Sequence, residues 1–171
     1  MKIEGRAYVL PAQHFDDVNT DVILAGPHLR LPEDQLGLHA FSAILPSFPA
    51  DARGRPILVG GANFGCGSSR EQAPKALLGC GIRLVIASSF GHIFYRNAIN
   101  LGLAAAVCPT PERLRALDAC ELHVDLEAGS LRAAGPGGST SLSCQPLPPH
   151  LLRILAGGGI LPLLAQTRDA S

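Results

Sequence analysis

The 171-residue chain contains no tryptophan, two tyrosines and one methionine, and its formal charge is zero, from 14 basic and 14 acidic residues. A chain without an excess of basic residues lacks the electrostatic attraction that nucleic acid or an anionic membrane surface requires. Hydrophobic residues make up 47% of it and charged residues 16%, so enough apolar surface exists to offset the entropy of ordering the chain. The composition therefore predicts a globular protein that binds neither nucleic acid nor membrane.

The chain also lacks long apolar runs and closely spaced cysteines. No segment approaches the roughly 18 apolar residues of a membrane-spanning helix, and Glu4 and Arg6 interrupt any signal-peptide pattern at 1–10. The cysteines are odd in number, and none has C-x-x-C spacing. We therefore expect a reduced, cytoplasmic setting in which they are small core residues. They are Cys66, Cys80, Cys108, Cys120 and Cys144.

The middle of the chain alternates between two kinds of segment. Apolar runs typical of buried strands occur at PILVGGANF (56–64), IRLVIAS (82–88) and LAAAV (103–107). Helical patterns separate them at SREQAPKALLGCG (69–81) and SFGHIFYRNAINLG (89–102), and both end at glycine. This order predicts a βαβαβ unit with parallel strands.

The two ends of the chain complete the expected α/β fold. KIEGRAYVL (2–10) is typical of a strand, and residues 121–144 alternate and turn at glycines, as antiparallel strands do. LPSFPADARGRP (45–56) is predicted to be a loop because of its prolines, glycine and charges. Residues 146–164 predict a short helix begun by prolines, a glycine break and a further short apolar turn. No long linker divides the chain, so we predict a single domain over 1–171.

The segment NFGCGSSREQAP (63–74) concentrates polar residues between a strand and a helix. In an open α/β sheet, ligands bind beyond the carboxyl ends of the strands. A helix N-terminus there adds unsatisfied N–H groups and about half a positive charge, and an arginine can bind a carboxylate or phosphate through two parallel hydrogen bonds. The segment therefore predicts an anion-binding site formed by Ser68, Ser69 and Arg70.

A simpler interpretation of the same segment is a capped helix. Ser68 and Glu71 fit the S-x-x-E capping box. However, a helix capped by Ser68 would place Pro74 at its sixth position, where a proline costs about 3 kcal/mol. Either the regular helix begins later or its first turns are distorted, and both alternatives leave residues 68–70 in a polar turn.

Other motifs that carry chemistry are absent from the sequence. There is no G-x-G-x-x-G, no G-x-x-x-x-G-K-[ST] and no G-x-S-x-G, so dinucleotide, P-loop and hydrolase-elbow sites are unsupported. His28, His39 and His92 have no zinc-site spacing, and we interpret them as surface or core histidines.

The polar segment resembles the F-G-C-G-S-S-R-E motif of the small subunit of 3-isopropylmalate dehydratase, a family similar to the swivel domain of aconitase. The resemblance covers nearly the whole chain, through NTDVILAGPHL (19–29), HAF (39–41), 82–103 and 147–164. It implies a three-layer β/β/α swivel domain, with a mostly parallel central sheet and a C-terminal antiparallel segment. The compact length is similar to that of the archaeal-type branch.

The resemblance also implies an activity. The family interconverts 2-isopropylmalate and 3-isopropylmalate by dehydration and rehydration, in leucine biosynthesis. A large subunit carries three cysteines that hold a 4Fe–4S cluster, so this chain is expected to bind no metal itself and to be active only in the assembled hydro-lyase. The expected partners are that subunit and a hydroxy di- or tricarboxylate.

Site residues follow from the matched motifs. By resemblance, Ser68 is the base that takes a proton from the carbon next to a carboxylate. Ser69 and Arg70 match residues that hold the substrate carboxylate. Asp21, in the N-T-D turn, lies near the site in the aconitase relatives and is included among the substrate-binding residues. Cys66 receives no ligand role.

Two positions depart from the family pattern. Gln72 stands where the family usually has histidine, and PHLRL (27–31) replaces the usual R-Y-L loop that tunes substrate choice. Arg30 in that loop resembles homoaconitase, in which an arginine would pair with an additional carboxylate of the substrate. Arg30 could also point to solvent. Isopropylmalate is the first substrate prediction because it is the more frequent substrate in the family, and homoaconitate or another substituted malate is the alternative.

Two further classes of function remain open at this stage. A stand-alone anion-binding module would bind its ligand without a partner, and Ser68→Ala would affect no turnover. A structural or regulatory partner would have lost catalysis, which the intact Ser68, Ser69 and Arg70 argue against.

Overall fold

The computed structural model describes residues 1–135 and 138–169, and seven strands in these ranges form one sheet. The strands are β1 (Lys2–Val9), β2 (Ile57–Val59), β3 (Leu84–Ala87), β4 (Ala104–Val107), β5 (Glu121–Asp125), β6 (Ser130–Gly135) and β7 (Gly138–Ser143). Their order across the sheet is β4-β3-β2-β1-β5-β6-β7. Strands β1 to β4 pair in parallel, and β5 to β7 continue from β1 as an antiparallel ladder.

Short helices connect and cover these strands. They are α1 (Thr20–Ile23), α2 (Glu33–Leu36), α3 (Phe48–Asp51), α4 (Gln72–Gly79), α5 (His92–Asn100), α6 (Pro111–Leu114), α7 (Pro149–Ala156) and α8 (Ile160–Asp169). Single 3₁₀ turns occupy Ala12–His14, Gly26–His28, Gly37–His39 and Arg115–Leu117. No helix in the described ranges is long and apolar enough to cross a membrane.

Burial differs between the two halves of the sheet, as their sequences predict. Every residue of β2 and β3 is buried, because helices and connecting segments cover both faces of a parallel sheet. In β5 and β6 buried and exposed residues alternate, because one face of this antiparallel half meets solvent. The predicted βαβαβ unit is confirmed as β2-α4-β3-α5-β4. The turn expected at 135–138 includes residues 136 and 137, which lie outside the described ranges.

A disulfide connects the segments that follow the two edge strands. Cys108 directly follows β4, Cys144 directly follows β7, and their sulfur atoms are bonded. Gln145 N–H also donates to the Val107 carbonyl oxygen at 2.7 Å, so the sheet curls until its edges meet. Both cysteines are buried, as expected for core residues, but they are bonded to each other, so the expectation of reduced cysteines is wrong for these two. No sequence spacing indicates this bond, because the curvature of the whole sheet brings the partners together.

Two predicted segments are more regular in the structure than in the sequence pattern. The predicted loop at 45–56 contains α3, because Pro49 is tolerated in a first helical turn and the Ser47 hydroxyl donates to Asp51 at 2.7 Å. Phe48 is fully buried there, and its ring contacts Tyr8 and Phe41. The short apolar turn predicted after the glycine break is the ten-residue helix α8.

Candidate functional site

The polar motif lies at the carboxyl ends of β2 and β3. After β2 ends at Val59, the chain forms a loop that reaches α4 at Gln72. Within this loop Phe64 makes a parallel bridge to Phe90, in the segment that follows β3. This is the edge of the parallel sheet at which α/β proteins bind ligands.

Two glycines allow the motif loop to pack closely against its neighbours. Gly65 and Gly67 have positive φ angles, +76° and +96°, which disfavour other residues. A side chain at position 65 would overlap Phe94, and one at position 67 would lie 2.5 Å from the side-chain oxygen of Asn19. The glycines therefore bring the motif against α5 on one side and the turn that begins α1 on the other.

That turn, NTD at 19–21, is fixed to the motif by hydrogen bonds. Asn19 caps α1, because its side-chain oxygen accepts from Asp21 N–H at 2.9 Å. Thr20 N–H donates to the Cys66 carbonyl oxygen at 2.8 Å, and the Thr20 hydroxyl donates to the Ser68 carbonyl oxygen at 3.0 Å. Two sequence segments almost 50 residues apart thus form one structural unit.

Ser68 does not cap α4. The helix begins at Gln72, its cap position is Glu71, and no side chain makes the capping hydrogen bond. Pro74 is therefore the third helical residue, in the first turn, where the missing N–H costs nothing. The capping-box interpretation is wrong, and residues 68–70 lie outside any helix or strand, as the position of Pro74 predicts.

The two serines are open to a ligand. Ser68 and Ser69 are exposed, and neither hydroxyl makes a hydrogen bond to another described residue. The N–H groups of Ser69, Arg70 and Glu71 likewise find no backbone acceptor in the described ranges. Hydroxyl and N–H donors at the start of an eight-residue helix are suited to bind an anion.

Arg70 lies beneath this surface and is held by Asp21. Its Nη1 atom lies 2.5 Å from Asp21 Oδ1, and the arginine side chain is 24% exposed. The Asp21 carboxylate therefore neutralises the buried Nη1 from the opposite segment. A guanidinium carries five N–H donors, so Arg70 can still bind a ligand carboxylate through two parallel hydrogen bonds.

Arg30 is placed apart from these residues. It lies in the segment between α1 and α2, is exposed, and makes no ion pair within the described ranges. The preceding 3₁₀ turn is anchored by His28, whose ring stacks on that of His39 with centroids 4.0 Å apart. The structure therefore brings together Ser68, Ser69, Arg70 and Asp21, whereas Arg30 stands on a neighbouring loop.

The free cysteines are Cys66, Cys80 and Cys120. Among the described residues no group of three histidine, cysteine or acidic side chains could hold a metal ion. Burial raises the pKa of the Cys66 thiol, and the negative charge of Asp17 raises it further. Burial also raises the pKa of Cys80 to about 11, and its thiol donates to the Gly37 carbonyl oxygen. These thiols are poor sources of the thiolate that a cluster needs.

Two residues of the site carry roles that the sequence did not indicate. Asn19 and Thr20 were matched as part of the N-T-D turn, with a functional expectation only for Asp21. The structure shows Asn19 packed against Gly67, and Thr20 bonded to the backbone on both sides of that glycine. The sequence indicated a polar turn at these residues. Local patterns could not predict that this turn packs against the motif at 63–74.

The chain is similar to known proteins in both sequence and fold. Residues 37–109 match the model of the aconitase C-terminal domain. The chain is 42% identical to 3-isopropylmalate dehydratase small subunit 1 of Methanopyrus kandleri, over 96% of this chain and 93% of the relative. It is 40% identical to the methanogen homoaconitase small subunit of Methanocaldococcus jannaschii, over 98% and 94%. The crystal structure of 3-isopropylmalate dehydratase from Methanocaldococcus jannaschii matches with a TM-score of 0.85 and 38% identity, over 99% of this chain and 97% of that one.

Proposed function

Because the chain belongs to the family of 3-isopropylmalate dehydratase small subunits and their homoaconitase relatives, we propose that it completes a hydro-lyase that interconverts 2-isopropylmalate and 3-isopropylmalate in leucine biosynthesis. The observation that carries the proposal is the position of Arg70. Its guanidinium is held by the Asp21 carboxylate, and it lies within the motif that also holds the exposed Ser68 and Ser69. This arrangement is suited to a substrate carboxylate next to a base.

In this proposal Ser68 acts as the base. Its deprotonated oxygen takes the proton from the carbon next to a substrate carboxylate, and the C–H electron pair forms the double bond as hydroxide leaves the adjacent carbon. Rehydration returns the proton and adds hydroxide, each to the other of the two carbons. A serine hydroxyl is weakly acidic, so the alkoxide needs stabilisation from the Arg70 guanidinium and the free N–H groups before α4.

The carboxylate-binding role falls to Arg70 and Ser69. The guanidinium offers a planar pair of N–H donors, and Asp21 keeps it in place from the opposite segment. The Ser69 hydroxyl and the helix N-terminus add donors for a second oxygen. A dianionic substrate would thus be held by charge at the position where Ser68 reaches its carbon.

The remaining chemistry comes from another chain. A 4Fe–4S cluster on a large subunit supplies the Lewis-acid chemistry at the leaving hydroxyl. The described residues of this chain offer no three-ligand set for such a cluster. The exposed Ser68 and Ser69 are consistent with a site that is completed when the two subunits meet.

Homoaconitate remains the alternative substrate, because Arg30 is unpaired among the described residues and relatives of both names align over nearly the whole chain. Arg30 is exposed, so it can stay hydrated without a substrate carboxylate. We therefore expect the assembled enzyme to prefer isopropylmalate over homoaconitate by at least about tenfold in kcat/KM. Arg30→Leu should change that ratio by less than about threefold, because Arg30 is exposed and makes no ion pair among the described residues.

The measurement is a comparison of kcat/KM for isopropylmalate, homoaconitate and dimethylmalate with the anaerobically assembled enzyme and its Arg30→Leu variant. Arg53→Leu, another exposed arginine, is the control for loss of a surface charge. A preference for homoaconitate that disappears in Arg30→Leu would show that Arg30 reads a distal carboxylate, and the pathway assignment would change. Turnover of none of the three would refute the proposed function.

A further inference from the structure

Thr20 is a buried polar residue whose hydroxyl contacts the backbone of the proposed base. Its exposed fraction is 1%, whereas the neighbouring Asp21 is exposed. The Thr20 hydroxyl donates to the Ser68 carbonyl oxygen at 3.0 Å, across 48 positions of sequence. A buried hydroxyl needs a partner, and the one that it has here is the peptide group of a candidate catalytic residue.

The hydroxyl carries one hydrogen, and the geometry favours Ser68 as its acceptor. The alternative acceptor, the side-chain oxygen of Asn19, lies farther away at 3.4 Å. That oxygen already accepts the Asp21 N–H at 2.9 Å. The Thr20 N–H donates at 2.8 Å to the carbonyl oxygen of Cys66. Thr20 therefore holds the motif backbone at two carbonyl groups, one on each side of Gly67.

Few other bonds fix Ser68. It follows Gly67, which has a φ of +96°. Because glycine adopts many backbone conformations, Gly67 does little to fix the backbone of Ser68. Ser68 precedes α4, so no helical hydrogen bond orients it. Its own hydroxyl makes no bond to a described residue. The direction of the Ser68 side chain thus depends strongly on the bond that its carbonyl group accepts.

We propose that Thr20 is a positioning residue for the reaction, which acts through the backbone of Ser68. This inference rests on the proposed function, in which Ser68 is the base. Thr20 and Asp21 are adjacent, so one turn orients both the base and the carboxylate-binding Arg70. A displacement of a reacting group by about 1 Å costs on the order of 10²-fold in rate, so the lost bond should act on kcat.

The test compares Thr20→Val, which keeps the shape but removes the hydroxyl, with Thr20→Ser, which keeps the hydroxyl. Both are measured in the anaerobically assembled enzyme, with assembly and Tm recorded for each. Thr20→Val should lower kcat about 10- to 100-fold with KM changed less than about threefold. Thr20→Ser should retain most of kcat. Thr20→Ala also removes the hydroxyl but adds no apolar volume, so it tests the same hydrogen bond if the valine variant misfolds. Its kcat should fall by the amount expected for Thr20→Val.

A double variant separates a positioning role from a merely structural one. If Thr20 acts through Ser68, then Thr20→Val combined with Ser68→Ala should be no slower than Ser68→Ala alone. Wild-type kcat in both Thr20→Val and Thr20→Ala, or a serine variant as slow as they are, would overturn the inference. If Ser68→Ala itself stays active, the proposed base is wrong. An inactive Ser68→Ala with a normal Thr20→Val would refute only the role of Thr20.

Discussion

The Ser68→Ala variant of the assembled enzyme is expected to lose turnover, with kcat lowered by about 10²- to 10⁴-fold. Alanine removes the oxygen that would take the substrate proton and leaves the backbone bond from Thr20 in place. Ser68 is exposed and its hydroxyl makes no hydrogen bond to the described residues, so stability and assembly should be unchanged. Measurement of kcat, KM and Tm on the same preparation separates these effects.

Ser69→Ala is the matched control for this variant. It removes a hydroxyl from the adjacent exposed residue, which the proposal assigns to substrate binding. We expect it to raise KM more than it lowers kcat, because a binding contact made equally in the ground and transition states acts on KM. Near-normal kcat in Ser68→Ala, or an equal loss in both variants, would contradict the role of Ser68 as base.

The second large effect is expected at Arg70. Arg70→Lys should lower kcat/KM by about 10²-fold, through a higher KM and a lower kcat together, because one ammonium cannot make two parallel bonds to a carboxylate. The ammonium would also leave the proposed alkoxide of Ser68 less stabilised. Asp21 would remain able to pair with the lysine, so we expect the fold to survive. Steady-state kinetics of the assembled enzyme provide the measurement.

Arg83→Lys provides the control for an arginine-to-lysine change. Arg83 is exposed and directly precedes β3, so it lies at the amino end of the parallel strands, opposite to the motif. Its substitution should leave kcat and KM unchanged. Kinetics of Arg70→Lys that match those of Arg83→Lys would place Arg70 outside the site.

Much of the fold could be predicted from periodicity. The buried strands β2, β3 and β4 are continuous apolar runs because both of their faces are covered. In the antiparallel strands buried and exposed residues alternate because one face meets solvent. Segments whose structure depends on tertiary contacts could not be predicted. Phe48 draws α3 into the core from a stretch rich in loop-forming residues.

The candidate site could likewise be predicted where local sequence determines it, and not where it depends on tertiary contacts. The motif at 63–74 could be placed at the start of a helix, and Pro74 indicated that residues 68–70 precede its regular part. The contact between Asp21 and Arg70 joins segments far apart in sequence and could be expected only from the family resemblance. The bond from Thr20 to a backbone carbonyl involves no side chain of the motif, so no residue pattern could have revealed it.

The disulfide is a further consequence of the fold as a whole. Cys108 and Cys144 are separated by 36 residues and belong to segments at opposite ends of the strand order. Only the curl of the sheet brings them together. A bond of this kind restricts the unfolded chain and typically contributes about 2–4 kcal/mol to stability, which would help to hold the sheet that carries the site.

The most direct test of the central claim is a titration of a fixed amount of the large subunit with this chain under anaerobic conditions, followed by isopropylmalate turnover. The account predicts no turnover by either chain alone and a rate that rises and saturates at equal amounts of the two. It also predicts that the Ser68→Ala variant assembles with the large subunit at the same stoichiometry but does not reach the wild-type rate of isopropylmalate turnover. Turnover by the large subunit alone at the full rate, or no turnover by the mixture, would contradict the claim that this chain completes the active site.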